Sequence, residues 1–162
     1  MAMLSVDIQG LDAALEQDIQ TLRDNTRPAA QAMAQVFYDD VLRNVGRLNT
    51  VTGHLRGAIY QVYSPELSGE ALAVYRVSWR TKRASGLPAA PHGHLIEFGH
   101  LAPYPVFRNE QGEWKTAKQY GKLKQAKFVK AHPFIRPAFL TGKAAALDAG
   151  EARLLEGFRD GT

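Results

Sequence analysis

The sequence predicts an α+β fold, with helices from both ends of the chain packed on a small antiparallel β-sheet and a long basic loop between them. Three observations carry that expectation. Apolar residues recur at helical spacing over residues 11–45 and again after Pro137, and two runs between them, 59–64 and 72–80, are β-branched, aromatic or alternating. The chain has 162 residues, 45% of them hydrophobic and 22% charged, which suits one globular domain with its own core. We therefore read 1–162 as a single domain, with residues 1–10 as an N-terminal arm and residues 81–91 and 101–130 as extended loops.

Leu11, Ala14, Leu15, Ile19 and Leu22 fall on one helical face, with Asp12, Glu16 and Asp18 near the positive end of the helix dipole. Asn25-Thr26-Arg27-Pro28 is expected to break this helix, with Asn25 or Thr26 capping a second one that holds Pro28 in its first turn. Ala30, Met33, Ala34, Phe37, Val41 and Val45 continue the apolar face to an end near Gly46, and Asp39 is spaced to pair with Arg43. Residues 46–57 are rich in Gly, Asn and Thr and read as a connector.

Residues 59–64 form the first predicted strand, closed by Pro65. In residues 72–80, Ala73, Tyr75, Val77 and Trp79 share one face, so the two runs are expected to pair as a hairpin across residues 65–69. Pro91 to His100 places Leu95, Ile96 and Phe98 between polar neighbours and ends at Gly99, which reads as a short strand and a sharp turn. A further strand is expected within 104–107, followed by a turn over 109–112. Pro133 and Pro137 force extended backbone before each proline and allow a helix to begin at Pro137. Gly142 and Gly150 each cost that helix about 1 kcal/mol relative to alanine, so it depends on packing.

The composition excludes several functional classes. There is no cysteine, so neither a disulfide scaffold nor a thiolate metal site can form. No leader-like start and no long apolar run is evident, so the protein is expected in a cytoplasm without a membrane anchor. Ser64, Ser68, Ser78 and Ser85 lack a G-x-S-x-G elbow, and no phosphate-binding or dinucleotide glycine motif occurs. No catalytic role and no cofactor is assigned.

His92, His94, Glu97 and His100 form H-x-H-x-x-E-x-x-H, whose imidazoles and carboxylate suit zinc. The metalloprotease pattern needs H-E-x-x-H on a helix, and Gly93 and Gly99 interrupt one here. Packing with a polar anchor is the simpler reading: on extended backbone Glu97 points away from His92 and His94, towards a basic residue such as Arg136. No metal is assigned. Net charge is +4, yet Lys115, Lys118, Lys122, Lys124, Lys127 and Lys130 follow Trp114 without an intervening acid. With Trp114, Tyr120 and Phe128 interleaved, that run suits either non-specific contact with DNA or a solvated loop that orders against a partner protein.

Three motifs carry a resemblance. Thr52-Gly53-His54-Leu55-Arg56-Gly57-Ala58-Ile59, Leu95-Ile96-Glu97-Phe98-Gly99, and His132-Pro133-Phe134-Ile135-Arg136-Pro137-Ala138-Phe139 occur in that order. Together they resemble the tail-completion proteins, also called neck or head-tail joining proteins, of long-tailed bacteriophages and prophages. The resemblance covers roughly residues 5–158. His100 departs from it, standing where a small threonine is usual, and residues 101–130 are longer and more basic than a turn requires.

What the resemblance implies is a structural virion component, a minor tail protein assembled in the host bacterial cytoplasm and acting without catalysis. Its partners would be further copies in a six-fold ring around the DNA channel and neighbouring neck, tail-tube or tail-terminator proteins, with DNA contact non-specific and no membrane involved. Leu95, Phe98, Phe134, Ile135 and Phe139 would lock the last helix to the sheet, with Glu97 and Arg136 as polar partners. The leading alternative is a small DNA-binding accessory protein acting through lysines 115–130.

Overall fold

The computed structural model describes residues 10–48, 53–83, 86–112 and 114–160. Thr52, in the first motif, lies outside them, as does nearly all of the expected N-terminal arm. The architecture is α+β. Two long helices, α1 (Leu11–Gly46) and α4 (Ile135–Asp160), pack together, and the hairpin of β1 (Ile59–Tyr63) and β2 (Tyr75–Trp79) packs against α1. Two short helices, α2 (His54–Ala58) and α3 (Gly93–Phe98), sit on either side of the hairpin in sequence. One apolar cluster joins these parts: Val41 and Val45 of α1, Leu55, Ala58 and Ile59, Ala90, and Phe134 with Ala138 at the start of α4.

The expected break at residues 25–28 is absent, because α1 runs unbroken through Pro28. Asn25 and Thr26 do not cap a new helix. Their side chains donate backwards, Asn25 Nδ2 to the Thr21 carbonyl at 2.9 Å and Thr26 Oγ1 to that of Leu22 at 2.7 Å. Lower down the helix, Arg43 pairs with Asp40 rather than with Asp39, which accepts from Gln35 at 2.9 Å.

The helices α1 and α4 run antiparallel, and small residues set how closely they approach. A Cβ on Gly157 would lie 2.1 Å from the Asn25 side chain, one on Gly150 2.7 Å from Met33, and one on Gly142 2.7 Å from Asp40. The glycines that weaken α4 by propensity therefore let it lie against α1. Leu147 and Leu155, by contrast, are exposed.

Because Asn25 meets Gly157, only three residues before α4 ends, the first turns of α1 project past their partner. Leu11, Leu15, Ile19 and Leu22 continue the α4-facing stripe, yet each is 44–51% exposed. The periodicity located the apolar face correctly, but nothing among the described residues covers its first half.

The hairpin pairs in register Ile59 with Trp79 through Tyr63 with Tyr75. Its strands stop at Tyr63 and start at Tyr75, inside the expected limits, since Ser64 turns the chain by accepting from Ser68 Oγ at 2.8 Å. Residues 101–130, expected as a loop, carry two short antiparallel ladders. Strand β3 (His100–Ala102) pairs with β6 (Lys127–Val129), and β4 (Val106–Arg108) pairs with β5 (Trp114–Thr116) across the expected turn at Gly112. These ladders form an arm whose residues are mostly exposed, with Ala117 as its buried point.

Candidate functional site

The second and third motifs meet at one carboxylate. The stretch around Glu97, expected as a strand, is the short helix α3. Helical spacing sets Glu97 one turn beyond Gly93, whose backbone lies under the Trp79 indole so closely that a Cβ would stand 2.3 Å from Nε1. The close approach of α3 to β2 aims Glu97 at the start of α4, where it is 2% exposed.

Every acceptor position of that carboxylate is used. Oε2 accepts from the backbone N–H of Phe134 at 2.7 Å and of Ile135 at 3.0 Å, and Oε1 accepts from the N–H of Arg136 at 3.1 Å and from its Nε at 3.3 Å. Arg136 Nη2 closes the ring by donating to the Glu97 carbonyl at 2.9 Å. The first N–H groups of a helix have no partner within it and carry partial positive charge. Here a side chain from 37 to 39 residues earlier in the chain serves as their cap. Burial alone would raise the carboxyl's pKa, but these hydrogen bonds outweigh it and hold the pKa below the ordinary value.

This explains why α4 starts at Ile135 and not at Pro137. Pro137 occupies the third helical position, where a missing N–H breaks no bond within the helix. Phe134, fully buried, packs edge-on against Trp79 with ring centroids 5.6 Å apart, and its carbonyl accepts from Asn44 Nδ2 at 3.0 Å. On the far side, Gly99 takes φ 73°, and a Cβ there would stand 2.7 Å from the Val129 carbonyl. His132 N–H donates to the Ile96 carbonyl at 2.8 Å. The expected turn at Gly99 thus exists, and it brings the β3–β6 ladder alongside the clamp.

Of the residues singled out in the sequence, Glu97, Gly99, Pro133, Phe134, Arg136 and Pro137 gather at this clamp, while the α3 aliphatic packed on the core is Ile96 rather than the expected Leu95. Leu55 joins it through the shared core, following Gly53 at φ 63°. Two aromatic assignments need correction. Phe98 is 61% exposed beneath the Arg136 guanidinium, and Phe139 stacks on Phe37 of α1 rather than on the sheet. Trp79 and Asn44 were missed as clamp residues; Asn44's signal is a polar side chain beside buried Val45, within one turn of buried Val41.

Lys115, Lys118, Lys122, Lys124, Lys127 and Lys130 are all exposed along the arm. Only Lys130 approaches the clamp, where it lines a shallow recess with Asn44, Arg47, His132 and Pro133. His92, just before α3, and His94 on it are exposed, and His100 opens β3. Among the described residues no three His, Asp or Glu side chains come together to hold a metal ion, and no helix is long and apolar enough to cross a membrane. The chain matches no protein-family model, no curated protein and no solved structure with which it was compared.

Proposed function

We propose that this protein is a structural subunit of a phage or prophage virion that joins or completes the tail at the head-tail neck, assembling as a ring around the DNA channel. The observation that carries the reading is the clamp. Motifs that resemble the tail-completion family are 38 residues apart in sequence at Glu97 and Ile135, yet one carboxylate ties them into a single unit, and Leu55 of the remaining motif shares its core. They are joint residues, so their resemblance concerns how the subunit is braced rather than a reaction it performs.

A braced body with apolar side chains left outside is what an assembling subunit needs. Trp114 and Tyr120 on the arm are 66% and 77% exposed, and aromatic residues of this kind are common anchors where proteins meet. The subunit works by contact, without a catalytic group or cofactor. Its neighbours are further copies and adjoining neck or tail proteins, and the arm's lysines face an acidic neighbour or the DNA in the channel.

The test is the mass of the purified protein in solution across concentration and salt, with and without a short DNA duplex. Rings or higher oligomers that form without DNA are the expected result. A protein that stays monomeric alone, yet binds unrelated duplexes with an affinity that falls steeply with salt, would replace this reading with that of a DNA-binding accessory protein.

A further inference from the structure

The projecting half of α1 has an apolar stripe with no cover and a strongly acidic border. Over residues 11–24 there are four acidic side chains, Asp12, Glu16, Asp18 and Asp24, against Arg23 alone. Arg23 is itself engaged, 3.6 Å from Glu70 at the tip of the β1–β2 hairpin. Three unsupported helical turns are marginal in water, and the stripe continues the face that α4 covers further along. The projection has the form of half an interface.

The other half lies at the opposite end of the molecule. Residues 101–130 carry seven basic side chains against two acidic ones. Leu101 and Phe128 face each other across β3 and β6 and are each 63% exposed, and the same arm carries Trp114 on β5 and Tyr120 in the turn that follows, 66% and 77% exposed. The arm is anchored at the clamp, beside Asn44. From Asn44 to Leu15 along α1 is roughly 43 Å at the helical rise of 1.5 Å per residue. The root of the arm is therefore far from the acidic projection of its own chain, and α1 packs chiefly on α4, the hairpin and α2 rather than on the arm strands.

We infer that the projecting apolar and acidic face of α1 docks on the basic, aromatic arm of a second copy of this chain. The contact is heterologous: each subunit offers the projection at one end and the arm at the other, so copies join head to tail and either close into a ring or extend. Opposite charge orients the encounter, and the apolar side chains supply most of the attraction once water is excluded. The inference rests on the assembly reading for the identity of the partner as another copy, and adds which surfaces meet.

Two variants with opposite halves removed test it. In one, Leu15→Gln and Ile19→Gln blunt the projection while keeping good helix formers; in the other, Lys118→Glu, Lys122→Glu and Lys127→Glu invert the arm. All five positions are exposed, and circular dichroism with thermal melting checks that each variant is folded. Light scattering or analytical ultracentrifugation then compares each variant, their equimolar mixture and the wild type.

The expected result is a wild type that assembles and two variants that each remain monomeric at about a hundredfold higher concentration, the scale of losing several anchors. Their mixture should form a one-to-one pair and nothing larger, since it holds one intact projection and one intact arm. Assembly of the projection variant like wild type overturns the inference and leaves ring assembly to other surfaces. A mixture that stays monomeric while the wild type assembles overturns the head-to-tail pairing. A wild type that is monomeric at every concentration overturns both this contact and the assembly reading.

Discussion

Replacing Glu97 by glutamine keeps the side chain's size and removes its charge. The amide oxygen can take the place of Oε2 and still accept from Phe134 and Ile135. The amide nitrogen then stands where Oε1 was, facing the N–H and Nε–H of Arg136 with no acceptor to offer. Two charge-assisted bonds are lost, together with the anion that balanced the helix terminus. Arg136 is more than half exposed, so water recovers part of each bond, and the net loss is about 2–3 kcal/mol.

Urea unfolding measures that loss directly. With a slope of about 1–3 kcal/mol per molar, the midpoint at neutral pH should fall by about 0.7–3 M. The pH dependence supplies a second, independent reading. The Glu97 carboxyl has a lower pKa folded than unfolded, so its stabilisation is complete above the ordinary carboxylate range near about 4.3. It is lost as pH falls from there through the folded value. The gap between wild type and Glu97→Gln should be constant from neutral pH down to that range and close below it. Equal midpoints at pH 7, or a gap that widens on acidification, would refute the account of Glu97 as an ionised cap.

Other positions make further demands on the fold. Gly99→Ala combines a positive φ with a Cβ 2.7 Å from the Val129 carbonyl, and should cost about 2–4 kcal/mol in denaturant melts; a stability equal to wild type would mean that the turn relaxes freely. Pro28→Ala restores a helical N–H in the middle of α1 and should raise stability by about 1–3 kcal/mol, seen as a higher melting temperature. A loss instead would show that the seam with α4 needs the proline ring. Gly150→Leu places bulk against Met33 and should destabilise by about 1–3 kcal/mol, and an unchanged melt would mean that the helices are not in close contact there.

How far the sequence could be read depended on whether each signal was local. The hairpin was legible because alternation at Tyr75, Val77 and Trp79 and the proline after Ser64 act within a few residues. The partnership of Glu97 with Arg136 was also legible, as charge complementarity between two motifs, though on the wrong backbone. Leu95-Ile96-Glu97-Phe98 is too short for its period to separate strand from helix, and what decides is the Gly93 contact with Trp79, a long-range fact. The start of α4 was placed two residues late for the same reason. Ala131, His132, Pro133 and Phe134 include no Ser, Thr, Asp or Asn to cap the helix, because the cap comes from Glu97. At Pro28 the turn-forming residues Asn25 and Thr26 misled, since the tertiary seam with α4 holds the helix together through its weakest point. In α1 the stripe from Leu11 to Leu22 marked a contact face without saying whether the partner belongs to the same chain.

The remote cap also bears on how the protein is made. A chain leaving the ribosome from its N-terminus completes α1, the hairpin and the arm before the 26 residues of α4 appear. Until then the face of α1 that α4 will cover has no partner, and Glu97 has no helix to close upon. Until α4 emerges the hairpin covers α1 on one side only, and α4 then supplies both the remaining cover and the latch. A chain cut short before Phe134 would hold most of the sequence and neither of the contacts that turn its parts into one body.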